Sequence, residues 1–199
     1  DYIDPEIAPD VTLLWLCEPD ESFHWYGIGS PESLDAIRGV DTAFGTILDR
    51  KADEISNGDL QIIAMSDHGQ ISLDGEKLDL ASKAQAAGFK TEGEAPDYVI
   101  SVANAGGTWV RDQEPEKIAS MVDWLQTQPF IGPVFTRDGI AGTLRHSEIM
   151  TDHARAPDIY LTLAARDGEN AHGIQGLSAD NAPYPKGGGC HGGLSRFEL

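Results

Sequence analysis

The hydrophobic pattern of the first 70 residues indicates two buried strands separated by a helix. Residues 11–16 and 60–65 are apolar runs, a pattern typical of strands covered on both faces in a parallel sheet. Between them, Ser30 followed by Pro31 is typical of a helix start, and Gly58 of a helix end. The order strand, helix, strand is the βαβ signature, so we predict an α/β fold with a mainly parallel sheet flanked by helices.

The pattern of residues 70–156 differs, with shorter elements of mixed type. Asp74-Gly75 between two short apolar segments predicts a hairpin turn. Helical spacing or strand-like composition predicts the remaining elements: helices over 80–87 and 115–126, and strands over 98–102 and 134–136. We interpret this region as an inserted α/β cap.

The main sheet is predicted to resume after the cap. Residues 158–163 form another apolar strand pattern, and a long loop rich in Gly and Asn leads from it to residues 187–193. The predicted domain organisation is therefore a catalytic-type core of residues 1–69 and 157–199, interrupted by the cap of residues 70–156.

The composition narrows the class of protein. The chain has 199 residues, of which 40% are hydrophobic, enough for one sizeable domain. No segment approaches the roughly 18 apolar residues of a membrane helix, and residues 1–10 lack the pattern of a signal peptide. The net charge of −19 argues against binding to nucleic acid or to an anionic membrane. Bound metal ions can offset acidic residues locally, so a small phosphate ester stays compatible with this charge.

Two cysteines are too few for a disulfide scaffold in a chain of this length. We expect Cys17 and Cys190 to be free thiols. Each lies close in sequence to a candidate metal ligand, so a bridge between them remains the alternative.

Candidate metal ligands follow both predicted strands of the first 70 residues. Asp67 and His68 come directly after the second strand, where ligand sites of α/β sheets collect, and Gly69 permits a sharp turn. Asp20 and His24 follow the first strand and offer one oxygen and one imidazole, a set suited to zinc.

His191 lies in a glycine-rich segment, where the backbone can approach a metal or an anion closely. Each of the three segments alone is common by chance. Their occurrence together, in this order along one chain, is a much more specific indication of a metal site.

These blocks together resemble the type I phosphodiesterase/nucleotide pyrophosphatase family of the alkaline phosphatase superfamily. Residues 19–27 resemble its Pro-Asp-x-x-x-His-x-x-Gly block, and residues 66–69 its Ser-Asp-His-Gly block. Residues 156–159 resemble the segment before its last core strand, and residues 189–195 its closing His-Gly block. One departure is Ser30, where the family usually has Pro after Gly.

The resemblance implies a site for two zinc ions. Asp20, His24 and His191 would hold one ion, and Asp67 and His68 would hold the other. In the family, a further Asp and a Thr or Ser nucleophile precede these blocks, and neither is found in this sequence. We therefore expect at most one zinc here and no catalytic residue within the chain.

The resemblance also implies the substrate class. We expect a zinc-dependent hydrolase of small phosphate esters, of the phosphodiesterase or nucleotide pyrophosphatase type, in which Trp25 and Tyr26 are candidates for lining the substrate pocket. The alternatives are a catalytically inactive metal-binding fragment and a relative of phosphonoacetate hydrolases or phosphomonoesterases. A metal-free interaction module fits the ligand pattern least well. A sheet without its preceding strands would leave apolar surface exposed, so a homodimer is also expected.

Overall fold

The computed structural model describes residues 9–198 and consists of two β-sheets with five α-helices around them. The helices are α1 (Asp20–Tyr26), α2 (Pro31–Arg50), α3 (Ala52–Asn57), α4 (Leu80–Ala86) and α5 (Pro115–Gln126). The strands are β1 (Ile71–Lys77), β2 (Tyr98–Val102), β3 (Ala105–Val110), β4 (Ile131–Thr136), β5 (Leu144–Arg145), β6 (Ile159–Leu163), β7 (Ala165–Glu169), β8 (Gln175–Asp180) and β9 (Gly189–Cys190). None of the helices described here is long and apolar enough to cross a membrane.

The two sheets have the strand orders β7-β8-β1-β9 and β2-β3-β6-β4-β5. The α/β fold class with flanking helices is confirmed. The strand directions differ from the mainly parallel sheet that we predicted, because within residues 9–198 only the β1–β8 and β4–β5 pairs are parallel. Short connections explain the difference, since neighbours such as β2 and β3, or β7 and β8, are joined by turns too short for a parallel crossover.

The larger core lies between the second sheet and the helices α4 and α5. Helical spacing places Met121, Val122 and Leu125 on the inner face of α5, where all three side chains are fully buried. They pack in one cluster with Ile159 and Leu161 of β6. The predicted bounds of α5 are confirmed, because its apolar face has a sheet to bury against.

The strands predicted at residues 11–16 and 60–65 are wrong. Neither segment is a strand in the structure, and all their side chains except that of half-buried Leu60 are exposed, with residue exposures of 89% for Leu13 and 79% for Ile63. An apolar run indicates that both faces of a segment favour burial, but it does not identify the strands or helices that bury them. In the described part of the chain, no strand pairs with either segment.

The helix predicted between these two segments starts and ends where expected, but it is divided at Lys51 into α2 and α3. The Ser30 hydroxyl accepts a hydrogen bond from the Ser33 main-chain N–H at 3.1 Å, and Pro31 occupies the first helical position. Gly58 ends α3 in the left-handed conformation.

The hairpin predicted at Asp74-Gly75 is also wrong. The strand β1 continues through both residues, because β8 pairs with it on both sides of Gly75, at Asp74 and at Lys77. Gly75, with φ of 96°, lies in an irregularity of the β1–β8 ladder rather than in a turn. Two further differences concern loops: residues 17–29, which the polar composition predicts to be a loop, contain α1, and the long loop predicted after residue 163 contains β7 and β8.

The division into a core and an inserted cap stays a prediction. The strand pairs cross its boundaries: β1, assigned to the cap, pairs with β8 and β9, and β6, assigned to the core, pairs with β3 and β4. Cys17 is exposed and Cys190 is buried, and both are free thiols, as expected.

Candidate metal centre

Helix α1 presents Asp20 and His24 on the same side. The two residues are four positions apart, which places side chains one above the other on a helix. The Asp20 Oδ2 atom lies 3.4 Å from His24 Nε2. The Asp20 carboxylate is partly open to solvent, while the His24 side chain is buried.

His191 joins this pair from the opposite end of the sequence. It directly follows β9, and the pairing of β9 with β1 brings it to α1, with His191 Nε2 3.9 Å from Asp20 Oδ1. Asp20, His24 and His191 each offer one ligand atom, and these atoms all lie within 4.8 Å of one another. One carboxylate oxygen and two imidazole nitrogens fit the donor set of a zinc ion.

The orientation of His24 supports this fit. Its Nδ1 atom is hydrogen-bonded to the main-chain oxygen of Gly189 at 2.8 Å, so in the neutral ring Nδ1 carries the proton. The unprotonated Nε2 then faces Asp20. A histidine whose other ring nitrogen donates to a carbonyl is the usual arrangement of a metal ligand.

His68 and Asp67 lie beside the three-residue cluster. The His68 Nε2 atom is 3.9 Å from Asp20 Oδ1 and 3.6 Å from Asp67 Oδ2. Its ring stacks on that of His191 with 3.7 Å between the ring centroids. All five residues that the sequence singled out as metal ligands therefore lie in one place, and the division into two separate metal sites stays a prediction.

Gln70 is a site residue that the sequence analysis missed. Its Nε2 atom donates a short hydrogen bond to Asp20 Oδ1 and lies 3.4 Å from the Asp20 main-chain oxygen. Gln70 thereby fixes the carboxylate that all the histidines of the cluster face. The contact joins residues 50 positions apart, so no local pattern reveals it.

The two predicted pocket residues, Trp25 and Tyr26, are both exposed at the end of α1. The Trp25 indole N–H donates to Glu21 Oε1 at 2.8 Å, and its ring meets Tyr184 edge-on. Tyr184 itself stacks on His24 with 3.9 Å between centroids. Tyr184, absent from the sequence prediction, thus covers one face of a candidate ligand, and the substrate role of Trp25 and Tyr26 stays a prediction.

The surroundings of His191 favour its neutral form. Burial lowers the pKa of His191, and the neighbouring His68 and His24 lower it further, while Asp20 and Asp67 act in the opposite direction. Because imidazole binds metals only when it is neutral, this shift suits a metal ligand.

Comparison with solved structures identifies the fold first. Solved structures of murine ectonucleotide pyrophosphatase/phosphodiesterase 5, and of an inactive variant of it in complex with AMP, match with a TM-score of 0.60 and 18% identity. Each match covers 89% of this chain and 41% of the solved chain. The fold is that of a partial alkaline-phosphatase-like core.

The family follows from the sequence comparisons. The family model described as type I phosphodiesterase/nucleotide pyrophosphatase matches residues 3–174, so the chain belongs to this family. Human ectonucleotide pyrophosphatase/phosphodiesterase family member 7 is 35% identical over 71 residues, which is 36% of this chain and 16% of that protein. These matches thus cover less than half the length of each relative. His191 lies beyond the segment that the family model matches.

Proposed function

We propose that this chain carries the zinc-binding part of the catalytic site of a hydrolase of phosphate esters. The observation that carries the proposal is the convergence of Asp20, His24 and His191, whose ligand atoms lie within 4.8 Å of one another. Three protein ligands leave an open coordination position, as catalytic zinc sites do.

The residues of the cluster have separate roles in this proposal. Asp20 supplies negative charge and is fixed by Gln70, His24 is fixed by Gly189, and His191 completes the set. When bound, zinc would offset negative charge on the phosphoryl, attacking and leaving oxygens. Asp67 and His68 are the proposed start of a second metal site, which needs further ligands.

The substrate class follows from charge and from the relatives. The chain carries a net charge of −19, so an anionic substrate approaches favourably only where cations offset the acidic side chains. A nucleotide or another small phosphodiester fits a family of phosphodiesterases and nucleotide pyrophosphatases. A murine relative in complex with AMP supports the same ligand chemistry.

The nucleophile and a further Asp ligand are proposed to come from a segment of the parent protein outside this chain. The support is length, since the chain spans 41% of the solved relative. In this proposal the chain alone binds zinc and does not turn over substrate.

Hydrolysis of bis(4-nitrophenyl) phosphate with added zinc tests the proposal. We expect no turnover by this chain, and zinc-dependent turnover by a longer parent chain that includes the proposed nucleophile segment. In the longer chain, His24→Ala should reduce turnover more than about 100-fold, because loss of a ligand should exceed the effect of losing an outer partner. His172→Ala, at an exposed loop histidine, is the control and should retain activity.

Two results would contradict the proposal. Zinc-dependent turnover by the present chain, abolished by His24→Ala, would show that it needs no outside nucleophile. Full activity of the longer chain with His24→Ala would remove the zinc site from the mechanism.

A further inference from the structure

Glu198 is a buried carboxylate beside the candidate metal centre. Its residue is 8% exposed, and its oxygens accept four hydrogen bonds from neutral donors. The bonds come from Asn104 Nδ2 (2.6 Å), Gly193 N (2.9 Å), Ser195 N (3.2 Å) and Ser195 Oγ (2.6 Å). Within residues 9–198, no Lys or Arg forms an ion pair with it. Burying a charge is costly, so four hydrogen bonds on one carboxylate indicate a group with a defined structural task.

Three of these four bonds hold the segment that directly follows His191. Gly193 and Ser195 together donate three hydrogen bonds to the carboxylate, which closes residues 193–198 into a tight loop. The position of this loop sets where the chain leaves His191. The carboxylate itself is not among the side chains that contact Asp20 or the histidine rings.

The fourth bond ties this loop to both sheets. Asn104 is buried, and its Oδ1 atom accepts a hydrogen bond from Ser178 of β8 in the first sheet. The main-chain oxygen of Asn104 accepts from the N–H of Leu163, on β6 in the second sheet, at 2.8 Å. Glu198 is therefore anchored to a residue that is itself held from two sides.

Glu198 also meets the loop that carries His68. Its main-chain oxygen lies so close to Gly69 that any side chain at position 69 would overlap with it. Gly69 follows His68 directly, and the His68 ring stacks on His191. One residue thus contacts the segments that present two of the candidate ligands.

We propose that Glu198 is a positioning residue that sets the place of His191, and of His68 beside it, relative to Asp20. The proposal rests on the zinc site proposed above. It assigns Glu198 no contact with metal or substrate, and its effect passes through the Gly193 and Ser195 hydrogen bonds. Outer partners that hydrogen-bond a metal ligand directly typically change metal affinity about 10–100-fold, and Glu198 acts one step further out, so its effect should be smaller.

The substitution Glu198→Gln tests the proposal with Co²⁺ as the probe. The amide keeps the shape and one acceptor oxygen, but its nitrogen cannot accept from Ser195. We expect Co²⁺ binding weaker than in the wild type by up to about 10-fold, less than for a partner bonded directly to a ligand, with an altered visible absorption spectrum. Glu169→Gln, at an exposed glutamate, is the matched control and should change neither property. Wild-type affinity and spectrum in a folded Glu198→Gln variant would overturn the proposal.

A second variant and a second readout keep the test decisive. If Glu198→Gln does not fold, Ser195→Ala removes a single hydrogen bond and should weaken Co²⁺ binding in the same direction by a smaller factor. Hydrogen exchange of the Ser195 amide, measured without metal, should be faster in Glu198→Gln than in Glu169→Gln. Unchanged exchange would overturn the positioning role, whereas absence of Co²⁺ binding by the wild type would overturn the zinc site itself.

Discussion

At the scale of single residues, the candidate ligands are held by Gln70 and Glu198, whose hydrogen-bond partners lie far from them in sequence. Asp20 and His24 were recognisable because a spacing of four residues is a local signal, and His191 because glycines surround it. Gln70 and Glu198 act through hydrogen bonds to residues distant in sequence, such as Asp20 and Asn104. Such partners become visible only when the fold brings them together.

One histidine outside the cluster gives a residue-scale prediction on pH. His146 is fully buried, and its Nε2 atom lies 3.3 Å from the Phe135 main-chain oxygen. Burial lowers the pKa of His146 below its ordinary value of 6.5, while the bond to Phe135 acts in the opposite direction. The unfolded chain therefore binds the proton more readily than the native state. The stability that neutral His146 provides is complete above the ordinary pKa and is lost as the pH falls below it.

Urea unfolding at about pH 7.5 and about pH 5.5 tests whether the stability falls with pH in the direction expected for His146. Between these values the free energy of unfolding should fall more steeply for the wild type than for His146→Gln, which keeps a donor but does not titrate. Exposed His172→Gln serves as the control and should follow the wild type. Equal pH dependence of wild type and His146→Gln would contradict the assigned pKa shift.

At the scale of elements, patterns with a local cause were read correctly. The start of α2 at Ser30 and the whole of α5 follow from a cap, a proline and helical spacing. The hairpin prediction at Gly75 was wrong because pairing of β1 with β8 outweighed a turn-like dipeptide. The strands β7 and β8 were missed because glycine and polar residues conceal their pattern.

The short strand β9 supports an element-scale prediction. A side chain at Gly189 would overlap Gln70 Oε1 and approach the main-chain oxygen of Phe23 to 3.1 Å. Gly189→Ala should therefore push β9 away from α1 and weaken the hydrogen bond that the carbonyl of residue 189 accepts from His24 Nδ1. We expect destabilisation of about 1–3 kcal/mol, the usual cost of overpacking, together with weaker zinc binding.

The matched control is Gly39→Ala within α2, where a new methyl group meets open space. This variant should be more stable than wild type by about 0.5–1 kcal/mol, because alanine is the better helix former. Urea unfolding and zinc titration of both variants provide the measurement. A Gly189→Ala variant with unchanged stability and zinc affinity would show that the close contact of β9 and α1 is unimportant.

At the scale of the whole molecule, the fold class and family were predictable from the sequence. The exposure of the two apolar segments at residues 11–16 and 60–65 was not. The runs at residues 11–16 and 60–65 carry exposed side chains such as Leu13 and Ile63, and α2 adds exposed Leu34 and Ile37. Contiguous exposed apolar surface is characteristic of an interaction site. The apolar sequence pattern shows that these segments favour burial, but it does not show which surface covers them.

We therefore expect the isolated chain to associate, as a dimer or a larger species. Light scattering over a concentration series should show a mass that rises above that of one chain. Ile63→Lys, in one of the exposed runs, should weaken the association, while Val99→Lys, at an exposed position on β2, should leave it unchanged. A monomer at high concentration would contradict this expectation.

The most direct measurement is the zinc content of the purified chain, determined by elemental analysis alongside His191→Ala and His172→Ala. His191 belongs to the cluster with Asp20 and His24, whereas His172 lies exposed in a loop. We expect about one zinc per chain in the wild type and in His172→Ala, and none in His191→Ala, since three ligands suffice for a retained ion. No zinc in the wild type, or an equal content in all three proteins, would contradict a zinc site at Asp20, His24 and His191.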